Sequence, residues 1–241
     1  MRNAYIENSL KDENLTYRGE SNTRLNSLTD AIFGIALTLL IFNVSDADSF
    51  KDLLVFAKSF PALLVSIAFL YIMWKEHVYF AVLYGIQGIS LQLLNVIFTS
   101  LIIFYVYPLR FLTRLLTDML FGLSMELRIE AQEIPELMIY YGVISFSIYF
   151  TLFLFYTAAL KQKAKLALSK YEIFYSQAHR NRMLVMAVVP FISLSISFLL
   201  KDKSILWASV LGGMSYGLYP ILMTLWSKLF KRKSQTILEI D

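Results

Sequence analysis

Runs of about twenty apolar residues, separated by short charged stretches, recur six times along the chain, at about 25–44, 55–74, 89–109, 137–160, 183–200 and 204–227. At about 1.5 Å per helical residue, each can cross a hydrocarbon core of about 30 Å. None alternates with the period of two of a half-buried strand. Helices satisfy their own backbone in lipid, as isolated strands do not. The pattern predicts an all-α, polytopic membrane protein with six transmembrane helices, residues 1–241 forming a single six-span domain. An even number of crossings puts both termini on one side of the membrane.

Composition agrees. The chain is 57% hydrophobic and 17% charged, with mean hydropathy +0.58, whereas a soluble domain carries about a quarter charged residues. Charge then sets the orientation. Lys51, Lys58, Arg110, Arg114, Arg128, Lys201 and Lys203 fall on the loops opposite the termini, and the other fifteen of the 22 basic residues fall on the termini's side. Basic residues favour the cytoplasmic side, so both termini are expected there. The same bias accounts for the net charge of +4 without a nucleic-acid partner. The first twenty residues are polar and of mixed charge, unlike a cleaved signal peptide. With no cysteine, disulfide and thiolate chemistry are excluded.

Two connections have a pattern of their own. RFLTRLLTDMLFG, from Arg110, spaces Arg110, Arg114 and Asp118 by four, which fits an extension of the third span or a short helix on the membrane surface. KQKAKLALSKYEIFYSQAHRNR, from Lys161 to Arg182, is basic with interleaved aromatics. Between two spans this predicts contact with anionic lipid headgroups rather than RNA.

Enzyme chemistry has little to rest on. The two histidines, His77 and His179, have no carboxylate at metal-ligand spacing, and there is no nucleophile elbow, phosphate loop or dinucleotide fingerprint. The chain is therefore expected to be no enzyme, with no bound metal and no cofactor. A Thr-Val-Gly-Tyr-Gly filter is also absent. Gly213 and Gly217 are spaced for close helix packing, with Pro220 predicting a kink.

The polar residues inside the spans are the informative ones. The first span begins with Arg24 and carries Ser27, Asp30 and Thr38; the second ends at Trp74 and His77; the third starts with Gln92 and Asn95. The alternating direction of the spans gathers these near one membrane face, except Thr38. Such a layer is either structural glue between helices or part of a proton or ion relay. On a helical wheel, Arg24, Leu28, Ala31, Ile35, Thr38, Leu39 and Phe42 share one face, and Asp30 points roughly the opposite way. That face is either ordinary packing or the wall of a path.

Arg24-Leu25-Asn26-Ser27-Leu28-Thr29-Asp30 followed by AIFGIALTLLIF resembles the opening of the transmembrane-protein-175 type of potassium channel, which starts its first helix with Arg-x-x-x-Phe-Ser-Asp. Leu28-Thr29 stands here in place of Phe-Ser. Trp74-x-x-His77 and Leu94-Asn95 are similar to that family's other recurring positions. The resemblance implies a homotetramer without a pore loop, in which copies of the first helix line a central path for potassium. It places the constriction and gate at Ile35, Leu39 and Phe42, an ion-contacting hydroxyl at Thr38 and the pore entrance at Arg24. Asp30, Trp74, His77 and Asn95 become a structural polar layer. Partners are then other copies of the chain, membrane lipids and potassium ions, in the cell membrane. A small-solute secondary transporter, or a membrane protein with no transport role, is the alternative in which the first helix is packed core.

Overall fold

The computed structural model describes residues 12, 14–19, 24–42, 49–85, 88–122 and 129–238. Every regular element among them is helical. The helices are α1 (Arg24–Phe42), α2 (Phe50–Tyr84), α3 (Ile89–Phe121), α4 (Ile134–Lys161), α5 (Lys170–Leu200), α6 (Ile205–Met214) and α7 (Leu218–Leu238). A 3₁₀ turn, Ala131–Glu133, leads into α4, and another, Ser215–Gly217, joins α6 to α7. Six stretches are long and apolar enough to cross a membrane, α6 and α7 together making the sixth. Successive spans run in alternating directions. The end of the bundle at which α1 begins is called proximal below.

Several helices outrun their apolar cores. α2 has 35 residues, about 52 Å at about 1.5 Å per residue, and continues ten residues past Trp74, where the apolar pattern thins. Ser49 caps its start by accepting from the Asp52 N–H at 3.2 Å, and Gly85, at φ 72°, ends it. α3 runs unbroken through Pro108 to Gly122, whose left-handed φ of 61° terminates it. The Arg110–Phe121 stretch is thus an extension of the third span. α5 starts at Lys170, where Ser169 and Glu172 form a capping box, so the second half of the basic connection is helical.

α4 lies at the centre. Ile148, Leu152, Phe155 and Tyr156 are fully or almost fully buried, and α5 packs along its length. Gly142 permits the close approach: a Cβ there would stand 2.6 Å from the Leu194 Cβ and 2.9 Å from the Pro190 carbonyl. On α6 the close-packed glycine is Gly212, whose added Cβ would collide with Ser197 Oγ; its carbonyl accepts from Ser193 Oγ at 2.8 Å. Gly213 and Gly217, singled out by their spacing, have nothing within 4 Å of an added Cβ. The spacing identified a glycine-rich surface but not the residue turned toward α5.

Candidate functional site

α1 is two-sided. Thr29, Phe33, Ala36 and Leu40, spaced four, three and four, are buried, with the Phe33 ring 6.0 Å from Phe98 of α3. On the other side Leu28 is 56% exposed, Ile35 54% and Leu39 38%, and Arg24, Ala31 and Thr38 are exposed too. Thr38 donates its hydroxyl proton to the Gly34 carbonyl at 2.9 Å. The oxygen lone pairs are left facing outward, as an acceptor with no proton to offer. Phe42 is the last residue of α1, and its side chain lies outside the described residues.

The polar residues form two hydrogen-bonded groups. Asp30 is exposed at the edge of α1 and accepts a hydrogen bond from Trp74 Nε1 at 2.9 Å. The pair stands at one end of a crevice of about 290 Å³ between α1 and α2, lined further in by Phe33, Leu37, Ile67 and Leu70. His77 and Asn95 belong to the second group. His77 Nε2 lies 2.7 Å from Asn95 Oδ1, Asn95 Nδ2 donates to Thr29 Oγ1 at 3.0 Å, and Thr29 Oγ1 donates to the Leu25 carbonyl at 3.0 Å. Each link has one donor and one acceptor when the neutral imidazole carries its proton on Nε2, and His77 Nδ1 is then buried without a hydrogen-bond partner among the described residues. Phe98 fixes the ring by stacking at 4.9 Å and 9°, and Phe155 meets it edge-on at 5.7 Å. This relay ties α2, α3 and α1 together inside the subunit. Arg24 and Gln92, grouped with these residues by sequence position, are exposed.

The sequence reading missed Thr29 as the residue of α1 that meets Asn95. It also missed a strap preceding α1. The Arg18 and Gly19 N–H groups donate to the Leu83 and Val82 carbonyls at 3.2 and 2.9 Å, taking up acceptors that the end of α2 leaves unpaired. The Arg18 guanidinium then grips Glu172 of α5 with two bonds, of 2.6 and 2.8 Å, and reaches the Leu166 carbonyl at 2.8 Å. Glu172 also accepts from the Thr16 and Ser169 N–H groups. The hydrogen bond with Glu172 holds the Arg18 pKa above its ordinary value. The one local signal for this site was Ser169-x-x-Glu172, a capping-box pattern.

The sequence model of the family described as "Endosomal/lysosomal potassium channel TMEM175" matches residues 24–108, which hold α1, α2 and most of α3. A protein of Marivirga tractuosa described as "Potassium channel" is 32% identical over 234 residues, 94% of each chain. The chain belongs to the TMEM175 potassium channel family. A crystal structure of a variant of the potassium channel MtTMEM175, bound to a nanobody–MBP fusion protein, matches with a TM-score of 0.82 and 30% identity, over 92% of this chain and 99% of that one. This TMEM175 relative is therefore a multi-pass membrane protein of a channel family, not an enzyme family. The family-matched segment includes both the Asp30–Trp74 pair and the His77–Asn95–Thr29 relay.

Proposed function

We propose that the protein is a homotetrameric, potassium-permeable channel of the cell membrane, with both termini cytoplasmic and no cofactor beyond the permeant ion. Four copies of α1 surround the conduction path. Arg24 stands at the cytoplasmic mouth, Thr38 turns its oxygen toward the passing ion or its water, and Ile35, Leu39 and Phe42 form an apolar constriction that gates by excluding water. The Asp30–Trp74 pair and the His77–Asn95–Thr29 relay hold α1 in register against α2 and α3.

The observation that carries this reading is the exposed face of α1, with Leu28, Ala31, Ile35, Thr38 and Leu39 on it. A spanning helix whose open side carries Arg24 at one end and the Thr38 hydroxyl further along is poorly suited to face lipid, because polar groups lose their hydration there. Contact with other copies around a water-filled axis removes that cost. The transporter alternative draws on the interruption of the sixth span at Ser215–Gly217. α1, which carries the polar groups, is continuous.

Ile35→Asn tests the reading. The amide has similar volume but binds water, so the neck wets and resting potassium flux into liposomes rises while assembly is kept. If Ile35 is ordinary core, the same change buries an unpaired amide, destabilises the protein by about 1–3 kcal/mol and opens nothing. A well-assembled Ile35→Asn protein with unchanged flux overturns the gate assignment.

A further inference from the structure

α7 turns toward α5 a stripe at helical spacing: Trp226, Leu229, Phe230, Lys233 and Ile237. Lys233 is the one cation of this stripe, and Thr236 beside it also lines the groove. α5 answers with Phe174, Gln177, Ala178 and Asn181, at the same i, i+3, i+4, i+7 spacing. The two stripes meet only at their floor. They enclose an open groove of about 460 Å³ at the proximal end of the bundle.

The groove has an aromatic floor and a cationic lip. Phe174 stacks on Phe230 at 5.7 Å and 11°, and Phe230 on Trp226 at 5.0 Å and 13°. Trp226 is held in place by its Nε1 bond to the Ala178 carbonyl at 3.2 Å and by the Arg182 guanidinium, 4.9 Å above its ring. Lys233 and Thr236 bring polar atoms to the outer end of the groove, and Gln177 and Asn181 stand deeper, beside the Ala178 that bonds Trp226. Residues 205–238 contain no aspartate or glutamate, and Lys228, Lys231, Arg232 and Lys233 are all exposed. Glu172, the only carboxylate of α5, is engaged by Arg18. Glu76 is paired with Arg182 and Asp12 accepts from Tyr171, so the lysines and arginine of α7 are the exposed charges along this part of the helix.

Depth matches as well. Lys233 stands about 10 Å beyond Trp226 along the axis, at about 1.5 Å per residue. With the indole at the hydrocarbon boundary, where tryptophan is enriched, the ammonium lies among headgroups. An apolar floor that leads to a cation at that depth is complementary to an acyl chain joined to a phosphate. We propose that this groove binds an anionic phospholipid, with its phosphate on Lys233 and one acyl chain along Phe230, Phe174 and Trp226. The proposal stands apart from the conduction reading, since it needs only that α5 and α7 meet the membrane surface here.

The test uses full-length protein in phosphatidylcholine vesicles doped, at equal mole fraction, with either phosphatidylglycerol or phosphatidylcholine brominated on an acyl chain. Bromine quenches nearby tryptophan, and the chain has three: Trp74, Trp207 and Trp226. The brominated phosphatidylglycerol should quench more than the brominated phosphatidylcholine, and Trp226→Phe, which keeps a stacking ring, should abolish the excess. Lys233→Gln should cut the excess about fivefold, the effect of one basic side chain at a charged membrane surface. Lys228→Gln, which removes the same charge from the far side of α7, should leave it intact. Four results would overturn the proposal. They are no excess in the wild type, as when a second copy of the chain fills the groove; excess surviving in Trp226→Phe; equal loss in the two lysine variants, the mark of general surface attraction; and abolition of the excess by inorganic phosphate, the mark of a free-anion site.

Discussion

The His77 ring and the Asn95 amide meet over 2.7 Å between α2 and α3, both side chains buried, and Asn95 passes the connection on to Thr29 of α1. Asn95→Leu breaks both bonds while keeping the volume. It leaves polar atoms of His77 and Thr29 buried without those partners, which costs about 1–3 kcal/mol for each group left unpaired. His77→Phe can keep the stack on Phe98. The double variant should therefore melt at a higher temperature than the sum of the single losses implies, because removing both partners spares the desolvation penalty. Strict additivity in thermal melts of detergent-solubilised protein would refute the coupling.

Asp30 has a different partner and a different expected response. Asp30→Asn keeps an acceptor for Trp74 Nε1 and should retain assembly. Asp30→Ala removes it and should lower the fraction of assembled tetramer on size exclusion, by an amount equivalent to about 0.5–1.5 kcal/mol for one hydrogen bond. Identical elution and heat stability of all three proteins would assign the pair no structural role.

Thr38→Val keeps the branched shape and removes the oxygen. Assembly should be unchanged, since the hydroxyl bonds only within its own helix, to the Gly34 carbonyl. The potassium-to-sodium permeability ratio, read from reversal potentials under bi-ionic conditions, should change. An unaltered ratio leaves Thr38 as a packing residue.

Arg18 and Glu172 fasten the chain ahead of α1 to the start of α5. Glu172→Gln leaves the guanidinium without its counter-charge. The pair is partly buried, so losing its charged hydrogen bonds should cost about 1.5–3 kcal/mol. The sign with pH follows from the raised Arg18 pKa: its contribution is complete below the ordinary arginine value and is lost only as pH rises through the higher folded one. The difference in melting temperature between Arg18→Gln and wild type should therefore be flat from pH 7 to pH 9, about three units below any titration of arginine. A difference that vanishes within that window would show that the guanidinium charge is not what holds the strap.

Two glycines offer a contrast in packing. Gly142→Ala pushes a methyl into Leu194 and the Pro190 carbonyl and should destabilise by about 1–3 kcal/mol. Gly213→Ala meets open space and replaces a poor helix former, so it should be neutral or stabilising by up to about 1 kcal/mol. Thermal melts of the two variants decide between this assignment and the one suggested by the Gly213–Gly217 spacing.

Six apolar runs and their lengths determined the all-helical, six-span architecture, because in lipid the backbone has few other ways to satisfy itself. The period of 3.6 also put Ile35 and Thr38 on one face of α1 before any neighbour was known, and the structure leaves that face exposed while burying Phe33 and Leu40. Charged residues marked where apolar runs end, but not where helices end: α2 continues past Trp74 through Lys75 and Glu76, because a helix leaving the membrane keeps its hydrogen bonds in water. What the pattern along the chain could not supply is partnership. Asn95 bonds with Thr29, 66 residues away, Trp74 with Asp30, 44 away, and Arg18 with Glu172, 154 away. Sequence position put Asp30, His77 and Asn95 in one shallow layer, since depth follows from counting residues. Azimuth around the bundle does not, and it divided them. The same is true of Gly212 against Gly213, adjacent in the chain and 100° apart on the helix, where only the position of α5 decided which one must lack a side chain.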